Sequence, residues 1–237
     1  MQLLNAVFSN QKVILPVIHI KDAGQMLRNA AIAHKHGCDG IFLINHGGMS
    51  YDVLIGAYSI LRKKFPDWWI GVNCLDLDPV KVFSKISQGI SGVWMDNAMI
   101  NENSKDQPEA IMIQKAREES GWRGLYFGGV AFKYQRPVSE WAKAARIATN
   151  YMDVVTTSGP GTGEPAYLGK IKEMKQAIGD NPLAIASGIT SQNIRSYLGV
   201  VDYFLVATGI SKNFWEFDPS LVKELVHRVR NYEIWNK

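Results

Sequence analysis

Residues able to move protons or hold anions fall in this chain just behind short apolar runs. Asp96 follows Gly92–Met95, His19 lies near the end of the run Val13–Ile20, His46 follows Gly40–Asn45, and Lys133 comes shortly after Leu125–Val130. A carboxylate behind an apolar strand has its pKa raised by burial and suits a general base, although Asp96 is also placed to cap the next turn. His19 reads either as a partner in proton transfer or as a hydrogen-bonded packing residue. His46, before Gly47-Gly48, reads as a ligand-facing imidazole. Lys133 would bind an anion, form a Schiff base, or carry its charge out to solvent. Asn45, Asn73, Asn97, Thr157 and Ser158 supply neutral donors and acceptors that orient hydroxyls. His19, His46 and Asp96 could meet at a metal, but no H-x-H or E-x-x-H spacing supports one, and neither metal nor other cofactor is expected.

Two glycine-bearing turns carry the strongest local signal. Ser187-Gly188-Ile189-Thr190 is read as opening a helix that carries Asn193, and Thr208-Gly209 follows the last apolar run. Glycines there would let backbone N–H groups approach a phosphate beside a helix N-terminus, with no charged side chain in the cradle. The plainer reading is a pair of tight turns. Ser158-Gly159-Pro160-Gly161-Thr162-Gly163-Glu164-Pro165 reads as a loop lying close to a ligand, or as a mobile flap, with Gly159, Thr162 and Gly163 as contacts. Glu164 suits the first turn of a helix better than acid–base work.

The elements that must position these groups alternate along the chain. Strand-like runs begin at 13, 40, 69, 92, 125, 151, 183 and 203 and recur about every 27 residues, the length of one βα unit. Between them lie amphipathic stretches, such as Asp22–His36, Tyr51–Phe65 ahead of Pro66, the segment opened by Asp78-Pro79, Gln107–Glu119 and Pro219–Tyr232. The runs are uniformly apolar, as strands covered on both faces are. No Gly-rich phosphate turn follows the first run, which disfavours an open dinucleotide-binding sheet. The reading is α/β: one (β/α)8 TIM barrel over residues 1–237, with phosphate-binding turns after strands 7 and 8 and function gathered at the strand C-termini. The joins at the opposite end, Gly37-Cys38-Asp39 and Gly89-Ile90-Ser91, read as simple turns.

Composition excludes other classes. The chain has 237 residues, 46% hydrophobic and 20% charged, with 26 Lys plus Arg against 22 Asp plus Glu, for a net charge of +4. No basic run marks a nucleic-acid surface. No apolar stretch is long enough to span a membrane, and no signal peptide is read, so a cytoplasmic protein is expected. Cys38 and Cys74 lie far apart and match no metal spacing, which suggests a reducing compartment with the thiols buried or idle. Phe214, Trp215 and Trp235 are candidates for the interface of a homodimer or higher homo-oligomer.

The segments GVNCLDLDPVKVFSKI, FKYQRP, DVVTTSGPGTGEP and ASGITSQNIRSYLGVVDYFLVATGISK resemble the BtpA family, in the same order and over about Val13 to Arg230. That group includes photosystem I biogenesis proteins. The resemblance implies a barrel related to phosphate-binding barrels, with Asn45, Asn73, Lys133, Thr157, Gly159, Thr162, Gly163, Gly188 and Thr190 on its top face. It departs from the family in lacking a Pro-rich loop after the first strand, and in having Ile44 and Gly129 where acids are usual. The expected function is an enzyme acting on a small phosphorylated molecule, a sugar phosphate or phosphoribosyl compound, by isomerase, lyase or glycosyl-transfer chemistry. The alternative is a non-catalytic assembly or regulatory protein that keeps a ligand-binding face.

Overall fold

A computed structural model describes residues 7–235. Eight parallel strands, β1 (Val13–His19), β2 (Gly40–Ile44), β3 (Trp69–Asn73), β4 (Gly92–Met95), β5 (Leu125–Gly129), β6 (Val154–Ser158), β7 (Leu183–Ala186) and β8 (Tyr203–Val206), close into a barrel through β1–β8 pairing. The helices are α1 (Ala23–Lys35), α2 (Tyr51–Lys64), α3 (Pro79–Lys85), α4 (Pro108–Ser120), α5 (Trp141–Ala148), α6 (Leu168–Ile178) and α7 (Pro219–Trp235). Among the described residues no helix is long and apolar enough to cross a membrane.

Alternation within each strand divides the apolar side chains between two cores. Ile14, Ile18, Leu43, Ile70, Val72, Val93, Val155 and Ile185 point outward to the helices. Leu15, Val17, Phe42, Trp69, Trp94, Phe127, Tyr203 and Leu205 fill the barrel interior. This double burial is why the runs look uniformly apolar. The interior is packed with aromatic rings, Phe42 lying 5.1 Å from Trp69, 5.7 Å from Trp94 and 5.2 Å from Phe127 between centroids. Glycines make room for them: a Cβ at Gly71 would overlap the Phe42 ring, and one at Gly92 the Trp69 ring.

The lower joins do more than turn the chain. Asp39, just before β2, accepts from Ile14 N at 2.7 Å, Asp153 from Tyr126 N at 2.7 Å, and Asp202 from Leu183 N at 2.9 Å. Ser91 Oγ takes Ile70 N in the same way at 3.3 Å. Each odd-numbered strand thus begins with its first free amide capped by a side chain from the join ahead of its neighbour. Arg230, Arg117 and Lys175 neutralise the three aspartates.

Between β7 and β8 the sequence reading is corrected. No α-helix follows Ser187–Thr190; the connection holds one 3-10 turn, Ile194–Ser196. Asn193 folds the turn instead, donating to Gly188 O at 2.7 Å and accepting from Thr190 N at 2.9 Å. Ile194, Tyr197, Leu198 and Val201 fill the place a helix would cover.

Candidate functional site

At the C-terminal end of the strands a cavity of about 310 Å³ opens, and eight of the residues singled out in the sequence line it: His19, His46, Asp96, Lys133, Thr162, Gly163, Ser187 and Thr208. Its remaining wall is largely apolar, with Val17, Ile44, Trp94, Ala186 and Leu205 from the strands and Leu75 and Phe214 from loops. Apolar walls with a few convergent polar groups are what small-molecule sites share.

The polar groups divide around the rim. Over β1, β2 and β4 stand His19, His46 and Asp96; over β5 to β8 stand Lys133, Thr162, Ser187 and Thr208. Asp96 and Trp94 share one face of the chain leaving β4, which carries the carboxyl to the mouth. Burial raises its pKa, opposed by a hydrogen bond from Asn73 Nδ2 at 2.9 Å and by the charge of Lys133. Its backbone is held too: Gln135 Nε2 donates to Asp96 O. His19 is pushed down to about 4 by burial, then by the neighbouring charges of His46 and Lys133, so it is neutral at pH 7. The two imidazoles lie edge to face, with centroids 5.9 Å apart, and Phe214 packs on both, at 4.4 Å from His19 and 5.0 Å from His46.

Across the mouth, Lys133 Nζ donates to Ser187 Oγ at 3.0 Å and Thr162 Oγ1 at 3.2 Å. Burial lowers its pKa, with Asp96 pulling it back up. An ammonium among hydroxyls, with Thr208 beside Gly163, is a donor-rich pocket for an oxyanion. Among the described residues the N–H groups of Gly188, Ile189, Thr208 and Gly209 meet no protein acceptor. Backbone strain gathers here as well. Ala131 (φ 48°), Tyr134 (φ 63°) and Ser187 (φ 79°) are three of the four non-glycine residues with positive φ among those described, each at a cost of roughly 1–3 kcal/mol.

The glycines of the top loops sit where main chain approaches main chain. A Cβ at Gly159 would run into Glu164 O, one at Gly188 into Pro165 N, and one at Gly209 into Ile189 O. They let successive top loops interlock, main chain against main chain, beside the Lys133 ammonium. Other residues support the site from outside the cavity. Asn45 ties two loops, donating to Asp76 Oδ1 at 2.5 Å and Met49 O at 2.7 Å and accepting from Leu75 N at 2.7 Å. Thr157 Oγ1 donates to Ala131 O at 3.3 Å, and Ser158 Oγ accepts from Lys133 N at 2.8 Å. Asn97 is exposed and accepts from Met99 N at 2.9 Å, while Ile189 is buried in the outer core. Glu164 is exposed beside Gly161.

Sequence reasoning missed Tyr134, Gln135, Leu75 and the cavity role of Phe214. Phe214 packs on His19 and His46, and the Trp215 carbonyl accepts from Gln25 and Asn29 at 2.6 and 2.7 Å. The Trp235 side chain lies outside the described residues. No group of His, Cys, Asp and Glu among the described residues is arranged to hold a metal ion.

No protein-family model matches the chain, and no curated protein sequence does. Solved structures do match by shape. Phosphoribosyl anthranilate isomerase from Thermus thermophilus is 15% identical, with 93% of this chain and 99% of that one covered and a TM-score of 0.64. (S)-3-O-geranylgeranylglyceryl phosphate synthase from Thermoplasma acidophilum, solved with its substrate sn-glycerol-1-phosphate, is 15% identical, with 97% of each chain covered and a TM-score of 0.67. At such identity the likeness is one of fold: the chain is a (β/α)8 TIM barrel, similar to enzymes that act on phosphorylated substrates.

Proposed function

We propose that this protein is an enzyme acting on a small phosphorylated metabolite, a sugar phosphate or phosphoribosyl compound, by proton-transfer chemistry of the isomerase, lyase or glycosyl-transfer type. The observation that carries this reading is the division of the mouth. An anion held by Lys133, Thr162, Ser187 and Thr208 directs the rest of a small ligand toward Asp96, His19 and His46. Free N–H groups at Thr208 and Gly209 add to the phosphate side.

Each group then has one task. Asp96, its basicity raised by burial, takes a proton from carbon or a hydroxyl. His19, neutral, donates or accepts a hydrogen bond at a carbonyl or ring oxygen. Asn73 and Gln135 fix Asp96 and act as positioning residues. The apolar floor of Trp94, Ile44 and Leu205 keeps water from the reacting end. The resemblance to the BtpA family and a cytoplasmic setting are consistent with such a substrate.

The test is turnover and binding with a panel of phosphorylated sugars. For a substrate so found, Asp96→Asn keeps the Asn73 contact in reach and should lower kcat by about 10²–10⁴ with little change in binding. Wild-type kcat in that variant would refute the base role. Failure of every phosphorylated compound to bind would remove the reading altogether.

A further inference from the structure

Two fully charged side chains are buried among the described polar residues, Glu102 and Lys170, and they are treated differently. Glu102 meets the Arg136 guanidinium through both carboxylate oxygens. Lys170, on the first turn of α6 and 9% exposed, has no carboxylate of the described residues within ion-pair distance. Its Nζ donates to Ala131 O at 2.5 Å and Ser158 O at 2.9 Å. Burial is the one cause of its lowered pKa, about 8, and no neighbouring charge offsets it. An ammonium has three donors, so two carbonyls leave one N–H and the whole charge uncompensated, a costly state for a buried ion.

Lys170 borders a second cavity of about 370 Å³ between the β5–α5 and β6–α6 loops. The wall of that cavity carries three cationic side chains, Lys133, Arg136 and Lys170, and no carboxylate. Exposed Tyr134 and Tyr167 stand at its edge, and Gly159 brings main chain to it. Arg136 has its charge matched by Glu102, whereas Lys133 faces the hydroxyls of the mouth. The segment Lys133-Tyr134 therefore forms a shared wall, with the mouth on one side and this cavity on the other.

We propose that this outer cavity is a second oxyanion site, in which Lys170 binds a phosphate group, carried by a phosphate monoester or present as inorganic phosphate. Occupancy there also holds Lys170 on the carbonyls of Ala131 and Ser158, the residues that begin the loop bearing Lys133 and the loop bearing Thr162. The site stands on its own geometry and does not require the mouth cavity to bind phosphate.

The experiment is NMR of lysine side chains in the full-length protein labelled with ¹³C and ¹⁵N, the Lys170 signal being assigned by its loss in Lys170→Arg. The protein is titrated with inorganic phosphate and with D-ribose 5-phosphate at constant ionic strength, with chloride as control. A bound phosphate should raise the Lys170 midpoint by about one pH unit, a tenfold preference of the site for the protonated lysine, in a saturable way. The same shift should persist in Lys133→Met. A response to the monoester alone supports the site and identifies its ligand source as an ester; a response to both supports it with either source. A Lys170 signal that phosphate and the monoester leave unmoved, or that chloride moves equally, overturns the proposal. Movement at Lys133 without movement at Lys170 refutes this site and leaves the mouth reading standing; movement at Lys170 alone supports this site. The deciding titration is taken on the wild-type chain, and the variants serve for assignment and for the Lys133 control.

Discussion

At the scale of single residues, burial decides chemistry more than residue type does. His19 is half-buried against Phe214 at the mouth, and its pKa falls to about 4. Its neutral form is the one the fold accommodates. The unfolded chain binds this proton near 6.5 and the folded chain only near 4, so the unfolded state carries more protons between those values. Stability supported by neutral His19 is thus full above about pH 6.5 and is lost as pH falls toward 4. Denaturant midpoints taken from pH 7 to pH 4 should decline less in His19→Gln than in the wild type, and the His19 ring should stay neutral by NMR at pH 5.5. A midpoint near 6.5 for His19 would contradict its burial. Lys133 is the complementary case, a half-buried cation surrounded by hydroxyls. Replacing it with Met should weaken binding of phosphorylated ligands by about tenfold to a hundredfold, the loss of one or two charge-assisted hydrogen bonds, read by calorimetry.

At the scale of elements, the strand ends show why some residues had to be what they are. Asp153 accepts from Tyr126 N and pairs with Arg117 at 2.5 Å, closing the lower end of β5. Asp153→Ala leaves that amide without its partner and should cost about 1–3 kcal/mol in chemical denaturation. Gly71→Ala should cost a similar amount by a different route, because the new methyl overlaps the Phe42 ring inside a barrel already filled with aromatics. Equal stability of Gly71→Ala and wild type would mean that those rings can move aside. These roles were partly visible in the sequence. Gly71 and Gly92 stand within apolar runs, yet nothing local says that the Phe42 and Trp69 rings occupy the space beside them. Asp39 and Ser91 sat in joins that read as ordinary turns, because the amides they cap belong to strands 25 and 21 residues away. The missing helix after β7 went unseen because Ser187–Asn193 has the local form of a helix start, which Asn193 satisfies within a single turn.

At the scale of the whole molecule, a ligand that binds the closed barrel and not the unfolded chain must stabilise it. A phosphorylated substrate at a hundredfold excess over its Kd should add about 2.7 kcal/mol, a rise of roughly 5–10 °C in Tm for a chain of this size. The rise should shrink in Lys133→Met, and a rise of full size in that variant at the same ligand concentration would show that the ligand does not depend on Lys133. Sequence alone determined the architecture: eight short apolar runs at βα spacing, each covered on both faces, leave a closed parallel barrel with its polar strand ends at one mouth. That much is legible because hydrophobic periodicity is local and every unit repeats it. Tertiary structure alone decided the site. Lys133 and Ser187 are 54 positions apart and meet at 3.0 Å because barrel closure sets their strand ends around one rim. Gly188 and Gly209 bring neighbouring loops into main-chain contact, and Lys170 reaches carbonyls of two different loops. Such contacts depend on side-chain reach across neighbouring strands, and no spacing along the chain encodes them.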